Sequence, residues 1–318
     1  MSVFILRRIG LAVIVLLLVT LIVFMAMRIL PGDPIYMIIS ASSTGTVSVD
    51  EVNRVRHEYG LDRPLIVQYF SWLGDVAHGN LGESIVQKQP VLNAIAQRVP
   101  VTLNLSILAL IFGMLFGIPF GIICALRRGK WIDTVVTIFA NLGITMPTFW
   151  LGFILIYIFS LQLHWLPTMG YTSPFTDIVK NIRQIIMPVF CLAIFPIASI
   201  TRQTRSSMLE VLRQDYIRTA WSKGLQERSI VIRHALKNGL IPVITLSGMS
   251  LSNIIGGSVI IETVFNIPGM GRTLVNAVFA HDYPIVQGCV FVIAITVLLV
   301  NLIVDISYGW LDPRIRYS

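Results

Sequence analysis

The side chains that most often carry chemistry are spread through this sequence without a catalytic spacing. The chain has no His-Glu-x-x-His pair to bind zinc from one helix face, and no Gly-x-Ser-x-Gly turn to expose a nucleophilic serine. It also has no Gly-x-x-x-x-Gly-Lys-Ser/Thr loop to hold the phosphates of ATP. The five histidines and three cysteines show no metal-binding spacing such as Cys-x-x-Cys. We therefore expect no catalytic residue, no metal and no cofactor in this chain.

The segment with the most specific pattern runs from residue 210 to residue 242 and is too long for a simple connector. Within it, Tyr216, Ala220 and Trp221 are spaced to share one helix face, so the segment predicts a short amphipathic helix. Gly224 can end that helix in a left-handed turn. An ordinary basic surface loop is the alternative interpretation. The polar, small and aromatic residues that make up this pattern are Asp215, Tyr216, Arg218, Thr219, Ala220, Lys223 and Gly224.

The composition of the whole chain indicates the solvent that surrounds it. Hydrophobic residues make up 55% of the chain and charged residues only 13%, with a mean hydropathy of +0.78. An average soluble domain has roughly 25% charged residues, so the membrane is the expected solvent. The net charge is +8, but the basic residues lie between long apolar runs and form no basic domain with interleaved aromatics. Nucleic-acid binding is therefore not expected.

Apolar runs of about twenty residues are long enough to cross a bilayer as helices. The sequence predicts an all-α membrane protein with six spans, at residues 9–27, 101–126, 134–163, 185–201, 239–261 and 284–304. The fourth run is short, so its helix is expected to extend into water through residues 201–212. Gly113, Gly117 and Gly121 recur every four residues and predict a close packing face in the second span.

The distribution of lysine and arginine predicts the orientation of the spans. Basic residues concentrate before the first span, between the second and third, and between the fourth and fifth. Both termini are therefore expected on the cytoplasmic side. The long loop after the first span then lies outside, and it predicts two short helices at 52–59 and 65–76.

The six apolar runs contain no Asp, Glu, Lys, Arg or His. Proton-coupled carriers and ion channels usually need such groups at membrane depth, so neither is expected. Neutral polar residues could line a path that passes a polar solute without binding it tightly. Hydrogen bonding between helices is the alternative role for each of them. The candidate pathway residues are Asn141, Thr145, Thr148, Ser250 and Asn253.

Several motifs resemble those of a known family. Membrane subunits of binding-protein-dependent ABC importers carry a cytoplasmic Glu-Ala-Ala-x-x-x-Gly motif, which Ala220 and Gly224 match and from which Arg218 and Thr219 depart. The form Asp-Tyr-x-Arg-Thr-Ala-x-x-Lys-Gly at 215–224 is similar to the B-type permease of dipeptide and oligopeptide importers. Leu-Pro-Gly-Asp-Pro at 30–34, Tyr-Gly-Leu-Asp-Arg-Pro at 59–64, Pro-Gly-Met-Gly-Arg at 268–272 and Asp-Pro-Arg-Ile-Arg-Tyr at 312–317 agree with that branch.

The resemblance implies the type I ABC importer permease fold in a bacterial or archaeal plasma membrane. It implies an N-terminal helix at 1–30, an external region at 31–100, a five-helix core at 101–305 with a coupling loop near 213–228, and a cytoplasmic tail at 306–318. In that loop it implies that the residues which dock on an ATPase subunit are Asp215, Tyr216, Arg218, Thr219, Ala220, Lys223 and Gly224. It also implies four kinds of partner: a second homologous permease, two ATPase subunits that hold ATP and Mg²⁺, an external solute-binding protein, and the lipid bilayer.

Two alternatives to peptide import stay open at this point. Permeases of the same family import glutathione or a nickel chelate. Because the binding protein supplies much of the selectivity, the permease sequence does not distinguish these cargoes from peptides. A protein of another class, an ion-coupled secondary transporter, could use neutral oxygens to bind sodium. Uptake driven by a gradient without ATPases would identify the second alternative.

Overall fold

The computed structural model describes residues 2–29, 49–58 and 60–311. The motifs predicted at 30–34 and 312–317 lie outside these residues, as does Tyr59 at the start of a third motif. The described chain is almost entirely helical. In chain order the α-helices are α1 (Ser2–Ile29), α2 (Val49–Glu58), α3 (Leu65–Ala77), α4 (Val91–Ala96), α5 (Val99–Leu126), α6 (Trp131–Thr145), α7 (Thr148–Leu155), α8 (Ile178–Val211), α9 (Asp215–Ser222), α10 (Glu227–Ser229), α11 (Leu236–Gly239), α12 (Ile241–Val264), α13 (Met270–Phe279) and α14 (Tyr283–Leu311).

Two π-helical segments continue these elements, Ile156–Gln162 after α7 and Ile230–Ala235 after α10. Each inserts a wider turn into an otherwise regular helix. α2 and α3 confirm the two short helices predicted in the loop after the first span.

Five helices of the described chain are long and apolar enough to span a bilayer, namely α1, α5, α8, α12 and α14. A sixth span results if α6 and α7 with its π-helical extension are counted together, although they meet at an angle of 105°. The break lies at Met146 and Pro147, because proline removes a backbone donor and disfavours helix in the residue before it. The structure thus bends the third predicted span sharply.

Helix α8 is much longer than the apolar run at 185–201 that predicted it. Asp177 caps its N-terminus, where the carboxylate accepts a hydrogen bond from the Lys180 backbone N–H at 2.9 Å. The helix runs for 34 residues from Ile178 to Val211. The predicted extension into residues 201–212 is confirmed. The six predicted apolar runs contain no charged residue, but the longer helices that include them do. Helix α8 carries Arg205, and α12 carries Glu262 near its end.

The chain divides into two compact units. The first comprises Thr102–Ile267 and the described residues from Leu299 to Leu311. In this unit α8 is the central element, and α6, α7 and α12 pack against it.

The predicted glycine face of α5 packs against α8. A Cβ placed on Gly113 would lie 2.9 Å from a Pro196 carbon, and one on Gly121 would lie 2.4 Å from the Thr204 Cβ. Both distances are shorter than real side chains allow, so only glycine permits this approach. The predicted packing face is confirmed.

The second unit comprises Ser2–Val101 and Pro268–Leu298. The buried carboxylate of Asp282 accepts hydrogen bonds from the Ser84 hydroxyl and, at 3.3 Å, from the Ile85 backbone N–H. These bonds hold the turn before α4 in place. Nearby, the ring of His57 contacts the exposed Asp62 carboxyl at 2.6 Å, and this hydrogen bond lowers the pKa of Asp62.

Candidate coupling helix and transport path

Helix α9 is the short helix predicted from the 215–224 motif. Asp215 begins the helix and contacts Arg218 at 3.6 Å, three residues later. The Thr219 hydroxyl donates to the Asp215 carbonyl at 3.0 Å. At the other end Gly224 has φ +74°, the left-handed conformation predicted for it, and its N–H donates to the Trp221 carbonyl at 2.9 Å.

The structure corrects the predicted faces of this helix. Ile217 and Ala220 are its buried residues, whereas Tyr216 and Trp221 are 43% and 48% exposed. Of the three residues predicted to share one face, Ala220 is therefore buried, and Tyr216 and Trp221 are exposed. Ile217 was missed, although a β-branched apolar residue three positions before Ala220 is a usual signal of a buried face.

The inward side of α9 packs into a hydrophobic cluster of its own chain, which we call the anchor cluster. Its buried members come from four elements: Ala125 of α5, Met208 of α8, Ile217 and Ala220 of α9, and Ile230, Val231 and Ala235 of the second π-helical segment. The small side chain of Ala220 therefore permits close packing within the chain. The exposed residues of α9 and of the turn that follows it are Asp215, Tyr216, Arg218, Thr219, Trp221, Ser222, Lys223 and Gly224.

One ion pair joins α6 to α8, the helix that contributes Met208 to the anchor cluster. Arg205 of α8 donates to both carboxylate oxygens of Asp133 in α6, at 2.7 Å and 2.8 Å. The backbone N–H of Gly129 adds a third bond to this carboxylate at 3.0 Å. The sequence placed Asp133 at the edge of a span, but no spacing signal connects it with a residue 72 positions away.

The predicted pathway residues of α6 lie on an exposed polar stripe. Thr134, Thr137, Asn141 and Thr145 follow one another at intervals of three or four residues, and all four are exposed. Thr145 satisfies its hydroxyl by donating to the Asn141 carbonyl at 3.1 Å. Thr148 is half-buried on the far side of the bend. This stripe ends at the break between α6 and α7.

Helix α12 carries a second exposed stripe, which includes Asn253. Its members are Met249, Asn253, Gly256, Ile260 and Thr263, again at intervals of three or four residues.

Ser250 does not belong to this stripe. It is only 3% exposed, and its hydroxyl donates to the Leu246 carbonyl of its own helix at 2.9 Å. The prediction that Ser250 faces the path is therefore corrected, and its position fits the alternative role in helix packing.

Near the end of α12, Glu262 is fully buried, and its carboxylate accepts hydrogen bonds from Thr102 at 2.6 Å and Ser258 at 3.2 Å. Sequence reasoning placed Glu262 at the edge of a span and gave it no role. Among the described residues, no group of three or more His, Cys, Asp or Glu side chains could hold a metal ion.

Comparison with known proteins identifies the family. Residues 117–317 match the family described as binding-protein-dependent transport system inner membrane component, and residues 1–106 match the N-terminal family of such components. The chain belongs to this family. The resemblance stated from the 215–224 motif is thereby confirmed, and so is the multi-pass location in the inner membrane.

Two curated relatives of this permease align with it from end to end. The oligopeptide transport system permease protein AppB of Bacillus subtilis is 40% identical over 320 residues, covering 100% of both chains. The di/tripeptide transport system permease protein DppB of Pseudomonas aeruginosa is 40% identical over 337 residues, covering 99% of both.

A solved structure shows the same fold. A chain from inward-facing conformations of the MetNI methionine ABC transporter matches with a TM-score of 0.55 at 17% identity, covering 70% of this permease and 97% of that chain. The predicted fold of an ABC importer permease is confirmed.

Proposed function

We propose that this chain is one permease subunit of an ATP-driven importer that passes dipeptides or oligopeptides from an external binding protein across the plasma membrane. The names and full-length similarity of AppB and DppB support the peptide substrate. Glutathione and nickel chelates remain the alternatives within the family. The observation that carries the proposal is the two-sided arrangement of α9, which is anchored inside the chain and leaves a motif-bearing surface outside.

The anchor cluster supplies a route from α9 into the membrane. Ala220 and Ile217 pack with Ala125 of α5 and Met208 of α8. A force on α9 therefore acts directly on two long helices. The Asp133–Arg205 ion pair extends this connection from α8 to α6, which carries the polar stripe. Partner ATPases that close on ATP would move these elements together, and hydrolysis on those subunits would reset them.

The exposed amides of α6 and α12 support a path that needs a second subunit. In a single chain, Asn141 and Asn253 are exposed on helices that span the membrane. An amide facing lipid loses its hydrogen bonds to water, so these faces require another protein or an aqueous path. We propose that a second homologous permease covers them and that the solute passes between the two chains. Asn141, Thr145, Thr148 and Asn253 are the proposed pathway residues.

The same proposal sets the orientation and the organisation of the chain. Both termini and the coupling loop near 213–228 are on the cytoplasmic side, and the region at 31–100 is outside. The core at 101–305 carries the path, and the tail at 306–318 returns to the cytoplasm. Two ATPases bind α9 and its counterpart on the second permease.

The experiment that tests this function is reconstitution of the full complex in proteoliposomes with a radiolabelled dipeptide and the external binding protein. We expect accumulation that requires ATP on the side of the ATPases and is insensitive to sodium or proton ionophores. Accumulation that follows an ion gradient without ATPases would instead establish a secondary transporter.

A pair of variants tests the role of α9. Trp221→Ala removes an exposed side chain of α9, and we expect weaker copurification of the ATPases with this variant. Trp165→Ala is the matched control, because Trp165 is 63% exposed on a different segment. Equal loss of ATPase in both variants, or in neither, would contradict docking through α9.

A further inference from the structure

Helix α3 is apolar along most of its length but is too short to cross a bilayer. It has 13 residues, Leu65–Ala77. At 1.5 Å per residue it measures about 20 Å, whereas the hydrocarbon core is about 30 Å thick. Apolar helices of about 10–14 residues lie in a protein core, at the membrane interface or in a re-entrant segment. The exposure and the contacts of α3 distinguish these positions.

The exposure of its side chains excludes the protein core for α3. Tyr69 is the one buried residue of this helix, all of whose residues the structure describes. Ile66 and Phe70 are four positions apart, so they share one face, and they are 68% and 64% exposed. The opposite face lines a cavity with polar side chains and one tryptophan, namely Gln68, Ser71, Trp72 and Asp75. Helix α3 is therefore amphipathic, with an exposed apolar face.

Contacts with α1 show how deep α3 lies. Arg28 directly follows the apolar run of α1 that ends at residue 27, so it marks one edge of the hydrocarbon. At that edge, the Arg28 guanidinium donates to the Gln68 side-chain oxygen at 3.0 Å. Further in, the ring centroids of Phe24 and Tyr69 are 5.3 Å apart, and the Tyr69 hydroxyl lies 3.1 Å from the Thr20 hydroxyl. Along the helix axis Phe24 is about 6 Å and Thr20 about 12 Å from Arg28.

The deepest of these contacts has the hydrogen bonding that hydrocarbon requires. The Thr20 hydroxyl donates to the Leu17 carbonyl oxygen at 2.9 Å, and the Tyr69 hydroxyl lies 3.2 Å from the same oxygen. Thr20 is 3% exposed and Tyr69 is 8% exposed. A hydroxyl at this depth finds no water, so it needs a partner within the protein. Both hydroxyls have one.

The lipid-exposed surface of α1 lies at the same depth. Leu18 and Ile22 are 54% and 65% exposed on this span, and they are about 15 Å and 9 Å from Arg28 along the helix axis. A helix that packs against α1 between Arg28 and Thr20 is therefore surrounded by acyl chains wherever protein does not cover it. This favours lipid over a water-soluble partner as the occupant of the apolar face of α3.

We propose that α3 is embedded in one leaflet of the bilayer beside α1, and that Ile66 and Phe70 bind phospholipid acyl chains. The polar face of α3 then turns to the cavity, and Arg28 and Gln68 lie at the level of the headgroups. Residues 65–77 belong to the region that we propose to be outside, so the choice of the outer leaflet rests on the proposed orientation. The contact with lipid does not depend on that orientation.

Spin-label collision rates in the full complex, reconstituted in liposomes, test this contact. Oxygen concentrates in hydrocarbon and chromium oxalate stays in water, so the ratio of their collision rates reports the medium around the label. The three native cysteines are fully buried, which directs the label to an introduced cysteine. We expect Phe70→Cys to give an oxygen-to-chromium ratio close to that of Leu18→Cys.

Phe175→Cys is the matched control, because it makes the same change at a side chain that is 99% exposed. Helix α8 begins at Ile178 and its apolar run begins at residue 185, so Phe175 lies more than about 10 Å outside the hydrocarbon. We expect its ratio to be several times lower than that of Phe70→Cys. Equal ratios at these two positions would overturn the proposal. Protection of the Phe70→Cys label from both reagents would also overturn it, since another protein would then cover the face.

A second measurement uses the unmodified chain. A phosphatidylcholine with a photoreactive diazirine on its acyl chain should label the peptide that contains Ile66 and Phe70 after irradiation. Label on α1 without label on this peptide would overturn the lipid contact, whether or not the cysteine variants fold.

The orientation has a separate test in the same liposomes. A membrane-impermeant maleimide should react with Phe175→Cys from the side on which the binding protein is added. Reaction from the ATPase side alone would overturn the proposed orientation and the choice of the outer leaflet, while the collision rates would still decide the contact with lipid.

Discussion

Arg205 and Asp133 form a bidentate ion pair in which Nε and Nη2 of the arginine each donate to one carboxylate oxygen, at 2.7 Å and 2.8 Å. The side chain of Asp133 is 7% exposed and that of Arg205 is 32% exposed. The pair joins the helix with the polar stripe to the helix that leads to α9. It is therefore a direct polar contact between α6 and α8.

Replacing Arg205 by methionine should destabilise the chain by roughly 2 kcal/mol, because the buried Asp133 carboxylate loses its cation while the partial exposure of the arginine moderates the cost. The measurement is the free energy of unfolding in detergent. The double variant Arg205→Met with Asp133→Asn should recover part of this loss, since no unpaired charge remains. A double variant that is as unstable as the sum of the two single variants would show that the pair is not coupled.

Replacing Gly121 by alanine should separate α5 from α8, because the added Cβ would lie 2.4 Å from the Thr204 Cβ and 2.6 Å from the Thr201 carbonyl oxygen. The expected loss of stability is about 1–3 kcal/mol. Gly10→Ala is the control, since nothing lies within 4 Å of a Cβ at that position of α1. Thermal unfolding of the two variants side by side tests the prediction, and equal melting temperatures would contradict it.

Replacing Gly224 by valine should uncouple ATP hydrolysis from uptake. No atom lies within 4 Å of a Cβ at this position, so the added Cβ itself meets no neighbour. Its φ of +74° is nevertheless costly for a β-branched residue, by about 1–2 kcal/mol. The ratio of transported peptide to hydrolysed ATP in proteoliposomes is the measurement. Gly224→Asn should retain coupling, because asparagine tolerates the left-handed conformation, and an equal loss in both variants would refute the role of this turn.

Replacing Asn253 by leucine should lower peptide uptake about fivefold if its amide provides one hydrogen bond along the path. Ser250→Ala, on the same helix, should leave uptake near the wild-type rate because Ser250 is buried and bonded to its own backbone. Initial uptake rates at equal amounts of assembled complex distinguish the two. A larger effect of the serine variant would reverse our assignment of the exposed face.

The candidate site could be predicted from the sequence where the signal was local. The motif at 215–224 predicted α9 and the left-handed turn at Gly224, since both depend on residues a few positions apart. The buried face of α9 was not predicted correctly, because it depends on Met208 and on the second π-helical segment, which the fold brings to Ile217 and Ala220. Local periodicity does not identify the neighbours of a helix.

The sequence by itself determined that this is a multi-pass membrane protein of the binding-protein-dependent transport family. Apolar runs of sufficient length and motifs in a characteristic order are properties of the chain alone. Only the tertiary structure decided that α6 and α7 meet at 105°, that Asp133 binds Arg205, and that Ser250 is buried while Asn253 is exposed. These features depend on contacts between distant segments, and residues with the same local pattern become inward or outward according to the helix that packs beside them.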